Sequence, residues 1–213
     1  PMNNFLKINR YSLGVGDRFA QQALAQLQAF FLAEQQGVLI SPTWNKSNRE
    51  HNIVGSEPSS VKAAADLAVK LAGWKHPYYV DADHIGLKTV GRFIDVSNFF
   101  TIDVADFIAQ PVAPELVKAF VDRHRELIGR CQIEGVDLPM EITQEEVTRI
   151  AKKYLLAVQE AGKVYRTIVK DKGASPFITE ISMDETDCPQ TPTELRVILV
   201  AVADEGIPIQ TIA

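Results

Sequence analysis

The chain has 213 residues, 46% hydrophobic and 23% charged, enough apolar material to build the core of one globular domain. Its net charge of −5 argues against nucleic acid or an anionic membrane as a partner. No apolar run reaches the ~18 residues of a membrane helix. Residues 1–10 lack the apolar stretch of a signal peptide, and Cys131 and Cys188 form no CxxC spacing, so the expectation is a cytoplasmic protein with reduced thiols.

Along the chain, short β-rich runs alternate with amphipathic helices. Tyr11–Val15 is the first run. The following helix is predicted to place Phe19, Ala23, Leu27, Phe30 and Phe31 on one face, with Gly37 ending it. Val38–Ile40 forms the second run, which breaks into a polar loop over Asn45–His51. Val61, Ala65, Ala68, Leu71 and Ala72 share a stripe of the next helix, closed by Gly73. The third run, Tyr78–Val80, ends at Asp81; a short helix around Lys88–Phe93 leads to the fourth, Phe99–Ile102, ending at Asp103.

Residues 114–130 read as a helix and 131–142 as a loop or small hairpin. Thr143–Glu146 is a capping box opening a long helix through Val147, Ile150, Tyr154, Val158, Ala161 and Tyr165. Phe177–Met183 is the fifth run. Thr191–Glu194 is a second capping box with Pro192 at the first helical position, and Ile207–Ile212 is the sixth run. Strands separated by helices imply a parallel sheet. Carboxylates at four strand ends (Asp17, Asp81/Asp83, Asp103/Asp106 and Asp184/Glu185) favour a (β/α) TIM-type barrel over a doubly wound sheet. The expectation is one α/β domain over 1–213, an incomplete barrel of about six β/α units of eight, with a helical insertion around 114–170.

Alternation along Phe177–Glu185 sets Glu180 with Ile178, Ser182 and Asp184, and sets Ile181 and Met183 toward the helices. An inward carboxylate must be paired, protonated or bound to a cation, so Glu180 is a candidate metal ligand; a structural salt bridge is the alternative. Asp81-Ala82-Asp83-His84 offers two carboxylates and an imidazole after a strand, residue types that ligate metals or move protons. Asn45-Lys46-Ser47-Asn48-Arg49-Glu50-His51 suits a polyhydroxylated anion, since Lys and Arg can hold its carboxylate. Gly14-Val15-Gly16-Asp17-Arg18 lacks the third glycine of a dinucleotide fingerprint, which excludes a nicotinamide site there and leaves Arg18 for a substrate carboxylate. His124 reads as a partly buried surface histidine.

Taken together, Gly14–Arg18, Trp44–Lys46 with Arg49–His51, Tyr79–His84, Phe99–Asp103, Ser182–Glu185 with Pro189–Pro192, and Ala203–Pro208 resemble the tagaturonate epimerase family, in order through almost the whole chain. The resemblance implies interconversion of tagaturonate and fructuronate on a metal-dependent, aldolase-like barrel. It implies Glu180 as a ligand of a divalent metal (Zn, Mn, Ni or Co), with further histidine ligands beyond Ala213. It also implies Asp83 and Glu50 as acid and base facing the sugar; Asp17, Arg18, Asn45, Lys46, His84 and Asp184 are the candidate substrate contacts read from the residues themselves. The expected partner is a small keto sugar acid, with a homo-oligomer or a complementary C-terminal fragment possible in addition. Two other readings are a class II-type metal-dependent sugar aldolase and a non-catalytic fragment that binds sugar acid or needs its missing half.

Overall fold

The structure is a computed structural model that describes residues 6–137, 139–183 and 189–213. In chain order it comprises β1 (Ser12–Gly16), α1 (Ala23–Gln35), β2 (Ser41–Ser47), α2 (Asn48–Val54), α3 (Pro58–Ala72), β3 (Tyr79–Ile85), β4 (Phe99–Asp103), α4 (Pro114–Arg123), β5 (Gly129–Cys131), β6 (Met140–Ile142), α5 (Gln144–Lys172), β7 (Ile178–Ser182), α6 (Pro192–Asp204) and β8 (Thr211–Ile212). Short 3-10 turns at Val90–Arg92, Ala105–Phe107 and Arg125–Leu127 link some of them. The chain divides into two compact units. One is Pro1–Asp103, Val164–Ser182 and Ile209–Ala213; the other is Val104–Lys163 and Met183–Pro208.

The first unit is built on an all-parallel sheet of six strands in the order β1-β2-β3-β4-β7-β8. This corrects the expected TIM-type barrel of six β/α units. Among the described residues β1 and β8 are the two edges of the sheet and do not pair with each other. A 3-10 turn stands in place of a helix between β3 and β4, and the path from β4 to β7 runs through the second unit. The alternation of strand and helix dictates parallel pairing, but closure depends on strand stagger, which no local pattern encodes. What stands is an α/β fold with an open parallel sheet.

Register divides the sheet into two chemically distinct faces. One face carries Leu13, Val15, Trp44, Val80, Ala82, Phe100, Ile102 and Ile181. Over its first strands Leu27 and Phe30 of α1 and Val61, Ala65 and Ala68 of α3 pack with Trp44, Val80 and Trp74 to form a core. The opposite face carries Gly14 and Gly16, Thr43, Asn45 and Ser47, Asp81 and Asp83, Thr101 and Asp103, Glu180 and Ser182, and Thr211. At the N-terminal ends of the strands this polar face is closed by Tyr79, Phe99 and Ile178 packed with Leu6 and Ile8. The 6–10 segment is tied down there by hydrogen bonds from Ile8 N to Gln210 Oε1 (2.8 Å), from Gln210 Nε2 to the Leu6 carbonyl (2.8 Å) and from Asn9 Nδ2 to Ser41 Oγ (2.7 Å).

Two helix stripes need trimming. Phe19 precedes α1 and is 69% exposed, and Leu71 is 64% exposed, while Ala23, Leu27, Phe30, Val61, Ala65 and Ala68 are buried. The predicted 114–130 helix stops at Arg123, and the 131–142 hairpin begins early, with Gly129–Cys131 pairing antiparallel to Met140–Ile142. In the second unit α6 starts with the full Thr191/Glu194 capping box, and Glu194 also meets Lys153 at 3.3 Å and Arg149 at 3.6 Å. His124 lies between Glu126 and Asp204, each at 2.8 Å, which outweighs its burial and raises its affinity for a proton.

Leu27 is fully buried, so Leu27→Ala is expected to cost about 2–5 kcal/mol. Leu71→Ala should stay within about 0.5 kcal/mol. Urea unfolding midpoints of the two variants check the assignment of the core.

Candidate active site

The polar face gathers carboxylates near the C-terminal ends of adjacent strands because β2, β3, β4 and β7 each place polar residues at alternate positions in matching register. Asp81 is 7% exposed and lies under Thr101, whose backbone N–H donates to Asp81 Oδ1 at 3.2 Å. The Thr101 hydroxyl lies 2.9 Å from Asp81 Oδ2 and 3.2 Å from Glu180 Oε1. One hydroxyl carries one hydrogen, so it can donate to only one of these oxygens. The second contact is attractive when a carboxyl O–H donates to Thr101 Oγ1. Asp81 suits that role: burial first, then the nearby charges of Asp83 and Glu180, push its carboxyl up to about 8 against the pull of the Thr101 hydrogen bonds. The carboxyl is therefore mostly neutral at pH 7.

Asp83, the next residue on this face, is also pushed upward, by burial above all and by Glu50, Glu180 and Asp103, with His84 opposing. His84 has φ +50°, a left-handed conformation uncommon for a non-glycine residue. The β3–β4 register shifts between Ala82 and Ile85, and this irregularity aims the imidazole at Asp103, with Nδ1 3.0 Å from Asp103 Oδ2 and Nε2 4.0 Å from Asp83 Oδ1. The predicted end of this strand at Asp81 is thus too early, since β3 continues to Ile85 and includes the whole Asp81–His84 motif.

The predicted 45–51 loop is instead the end of β2 followed by a helix. Ser47 caps α2 in a full capping box with Glu50, whose carboxylate accepts from the Ser47 N–H at 3.1 Å. Burial pushes Glu50 up, but the Ser47 hydrogen bonds and Arg18 outweigh it and hold the carboxyl below its ordinary value. Arg18 Nε meets Glu50 Oε1 at 3.4 Å, with the Arg18 side chain 56% exposed.

The remaining predicted residues are placed as follows. Asp17 accepts a hydrogen bond from the Gln22 N–H through Oδ2 and so fixes the turn before α1. Asn45 lies on the polar face beside Gly14 and Gly16, its side-chain amide 3.7 Å from where a Cβ on either would stand. Glycine at 14 and 16 leaves the face open above Asn45. Lys46 is on the opposite, helix-covered face and 1% exposed, turned away from Asp81, Asp83 and Glu180. Asp184 lies outside the described residues. Asp83, Glu180, Glu50, Arg18, Asn45 and His84 are thus brought to one side of the sheet or its C-terminal rim.

Thr101 is absent from the sequence-based candidates, and Asp81 is among them only as part of the Asp81–His84 motif, with no role of its own. The signal that could have found them was register, because a strand running on through Asp83 puts Asp81 on the same face, one row deeper. The face also holds the Thr43 and Thr211 hydroxyls, buried with no hydrogen-bond partner among the described residues. Asp81 and Glu180 supply hard oxygen donors that suit a divalent cation, but among the described residues no group of three or more His, Cys, Asp or Glu is spaced to hold one.

The chain matches the UxaE family, tagaturonate epimerase, over residues 2–213, and it belongs to that family, a family of isomerase-class enzymes. The crystal structure of fructuronate-tagaturonate epimerase UxaE from Cohnella laeviribosi complexed with one glycerol shares the fold with a TM-score of 0.77 at 20% identity, over 98% of this chain and 44% of that chain. The native crystal structure of that enzyme gives 0.76 at 19% identity, over 98% of this chain and 45% of that one. The chain therefore spans less than half the length of these relatives. No curated protein matches it. Among the described residues no helix is long and apolar enough to cross a membrane.

Because the Asp81 carboxyl binds its proton more tightly in the folded chain than in the unfolded one, its contribution to stability is fully present below about pH 4 and is lost as pH rises through about 8. Asp81→Asn should remove this pH dependence and make the chain more stable than wild type at pH 9, by roughly a few kcal/mol. Denaturation midpoints of both proteins at pH 5 and pH 9 check it; a wild type whose stability does not fall relative to the variant would count against the buried neutral carboxyl.

Proposed function

We propose that this chain forms part of a metal-dependent epimerase acting on keto sugar acids, tagaturonate and fructuronate, in the cytoplasm. The observation that carries the reading is the convergence of Asp81, Asp83, Thr101 and Glu180 on one open polar face, in a chain of this family. Glu180 would be a ligand of the divalent cation, with the rest of its coordination drawn from outside the described residues. When bound, such a cation supplies Lewis-acid polarisation of the substrate ketone.

The two sugar acids differ at a carbinol carbon β to the ketone. Its C–H is not acidified, so simple enolisation does not invert it. Retro-aldol cleavage and re-addition does. A base takes the proton of the β-hydroxyl, the bond between the α and β carbons breaks, and its electron pair passes into the enediolate while the β carbon becomes an aldehyde. The aldehyde turns, the carbon–carbon bond re-forms on the other face, and the proton returns to the new hydroxyl oxygen.

Asp83 is the group suited to shuttle that proton, since its raised proton affinity brings it nearer the working pH. Glu50, held below its ordinary value, stays ionised and orients Arg18. Arg18, exposed and only loosely paired, is suited to receive the substrate carboxylate. Asn45 and His84 line the sugar hydroxyls. Deep in the face the Asp81–Thr101–Glu180 bridge keeps the donor oxygens together.

Incubating the protein with tagaturonate should yield fructuronate, and a chelator should abolish the conversion. In deuterated water the inverted carbon should stay unlabelled, and an aldehyde trap should capture little free fragment. Stoichiometric label at that carbon would replace cleavage with direct deprotonation, and quantitative trapping would make the enzyme an aldolase. Asp83→Asn should lower kcat by roughly 10²–10⁴-fold.

A further inference from the structure

Lys46 is the largest charged side chain buried in the described structure, and it does not face Asp81, Asp83 and Glu180; burial lowers its proton affinity, against the pull of the Glu50 and Asp17 charges. It is the next-to-last residue of β2, on the helix-covered side of the sheet. A buried ammonium is tolerated only when its N–H donors are satisfied. Lys46 Nζ donates to the Arg18 carbonyl oxygen, in the connection from β1 to α1, and to Ser56 Oγ at 2.7 Å, just past the end of α2. These are the two segments that deliver Arg18 and Glu50 to the rim. The direct Arg18–Glu50 contact is long and exposed, and a surface ion pair of that kind contributes little by itself. Glu50 is held locally by its capping box with Ser47, so what is left to fix is the Arg18 backbone and the far end of α2.

A second set of contacts runs along α2, from its first residue to the segment just past its end. Arg92 commits all five of its N–H donors here: to Asn48 Oδ1, Asn52 Oδ1, the Ser56 carbonyl and both oxygens of Glu57. Ser56 is the shared node. Its hydroxyl can accept from Lys46 and donate to His51 Nδ1, 2.9 Å away. His51, 1% exposed, is neutral there, because burial and then the charges of Lys46 and Arg92 push it down to about 4.

We propose that Lys46 is a positioning residue, which fastens the Arg18 backbone and the end of α2 from behind the sheet and so sets the Arg18–Glu50 pair at the rim; the inference rests on the reading of that rim given under the proposed function. With its ammonium on the far side of the sheet, Lys46 does not touch a sugar acid lying over the polar face.

Hydrogen exchange on the whole chain tests this. Lys46→Met keeps the stem and removes the ammonium. Exchange should quicken at residues 17–20 and 48–56 and stay unchanged in β3, β4 and β7. Ser56→Ala, which leaves the contact to Arg18 intact and is the milder change, should quicken 48–56 only. Unchanged exchange in both segments, or faster exchange throughout the sheet, would overturn the proposal. In turnover of the keto sugar acid, Lys46→Met should raise KM roughly tenfold, because the misplaced Arg18 is the group that receives the substrate carboxylate, and should change kcat less. A KM increase with exchange at residues 17–20 unchanged would instead make Lys46 a substrate ligand. A wild-type protein that carries its full metal coordination and does not act on the sugar acid would defeat the functional reading, and the exchange data would still decide the role of Lys46.

Discussion

The bridge from Asp81 through Thr101 to Glu180 is the interaction on which the polar face depends. It joins three neighbouring strands through two carboxyl groups and one hydroxyl, and two bare carboxylates cannot share a single hydroxyl hydrogen. The face can hold them with a proton on one carboxyl group, which burial assigns to Asp81, or with a cation that replaces the proton. Everything that makes this part of the sheet a candidate site follows from that choice. Burial and like charge raise the cost of ionising Asp81, and the same cost is relieved when a positive ion enters.

The two faces of the sheet divide the work. Trp44, Val80, Phe100 and Ile181 bury their side chains on one side, and the helices α1 and α3 cover the first strands there. That leaves the other side free to carry groups that no apolar core would accept. The N-terminal ends of the strands are closed by Tyr79, Phe99 and Ile178 with Leu6 and Ile8, so the polar residues are concentrated toward the C-terminal ends. Parallel strands deliver those ends to one rim, as ligand sites in α/β sheets generally require. Lys46 illustrates the division: one position along β2 from Asn45, it serves the opposite face.

Much of this was legible in the sequence because it rests on local rules. The capping box at Thr191–Glu194, the stripes through Leu27 and Ala65, and the alternation that turns Glu180 away from Ile181 are set by residues within one or two turns of each other. The errors came where distant pairing decides. Asn45–Ser47 looked like loop because the residues are polar, yet pairing of all three with β3, and of Asn45 with β1 as well, holds them in strand. Asp81 looked like a strand end because it is charged, but Asp83 and His84 extend the strand beyond it. Lys46 joined the substrate-binding set on residue type alone, although alternation from Asn45 already sends it to the other face. The expected barrel failed for a related reason, since strand order and closure are properties of the whole sheet.

The most direct measurement is an infrared difference spectrum of the chelator-treated chain against its Asp81→Asn variant near neutral pH. A carboxylic acid C=O band present in the wild type and missing from the variant is the predicted result, since the Asp81 proton is what lets Thr101 serve both carboxyl groups. Spectra that differ only in carboxylate bands would mean that Asp81 is ionised there, and would contradict the account of how the polar face is held.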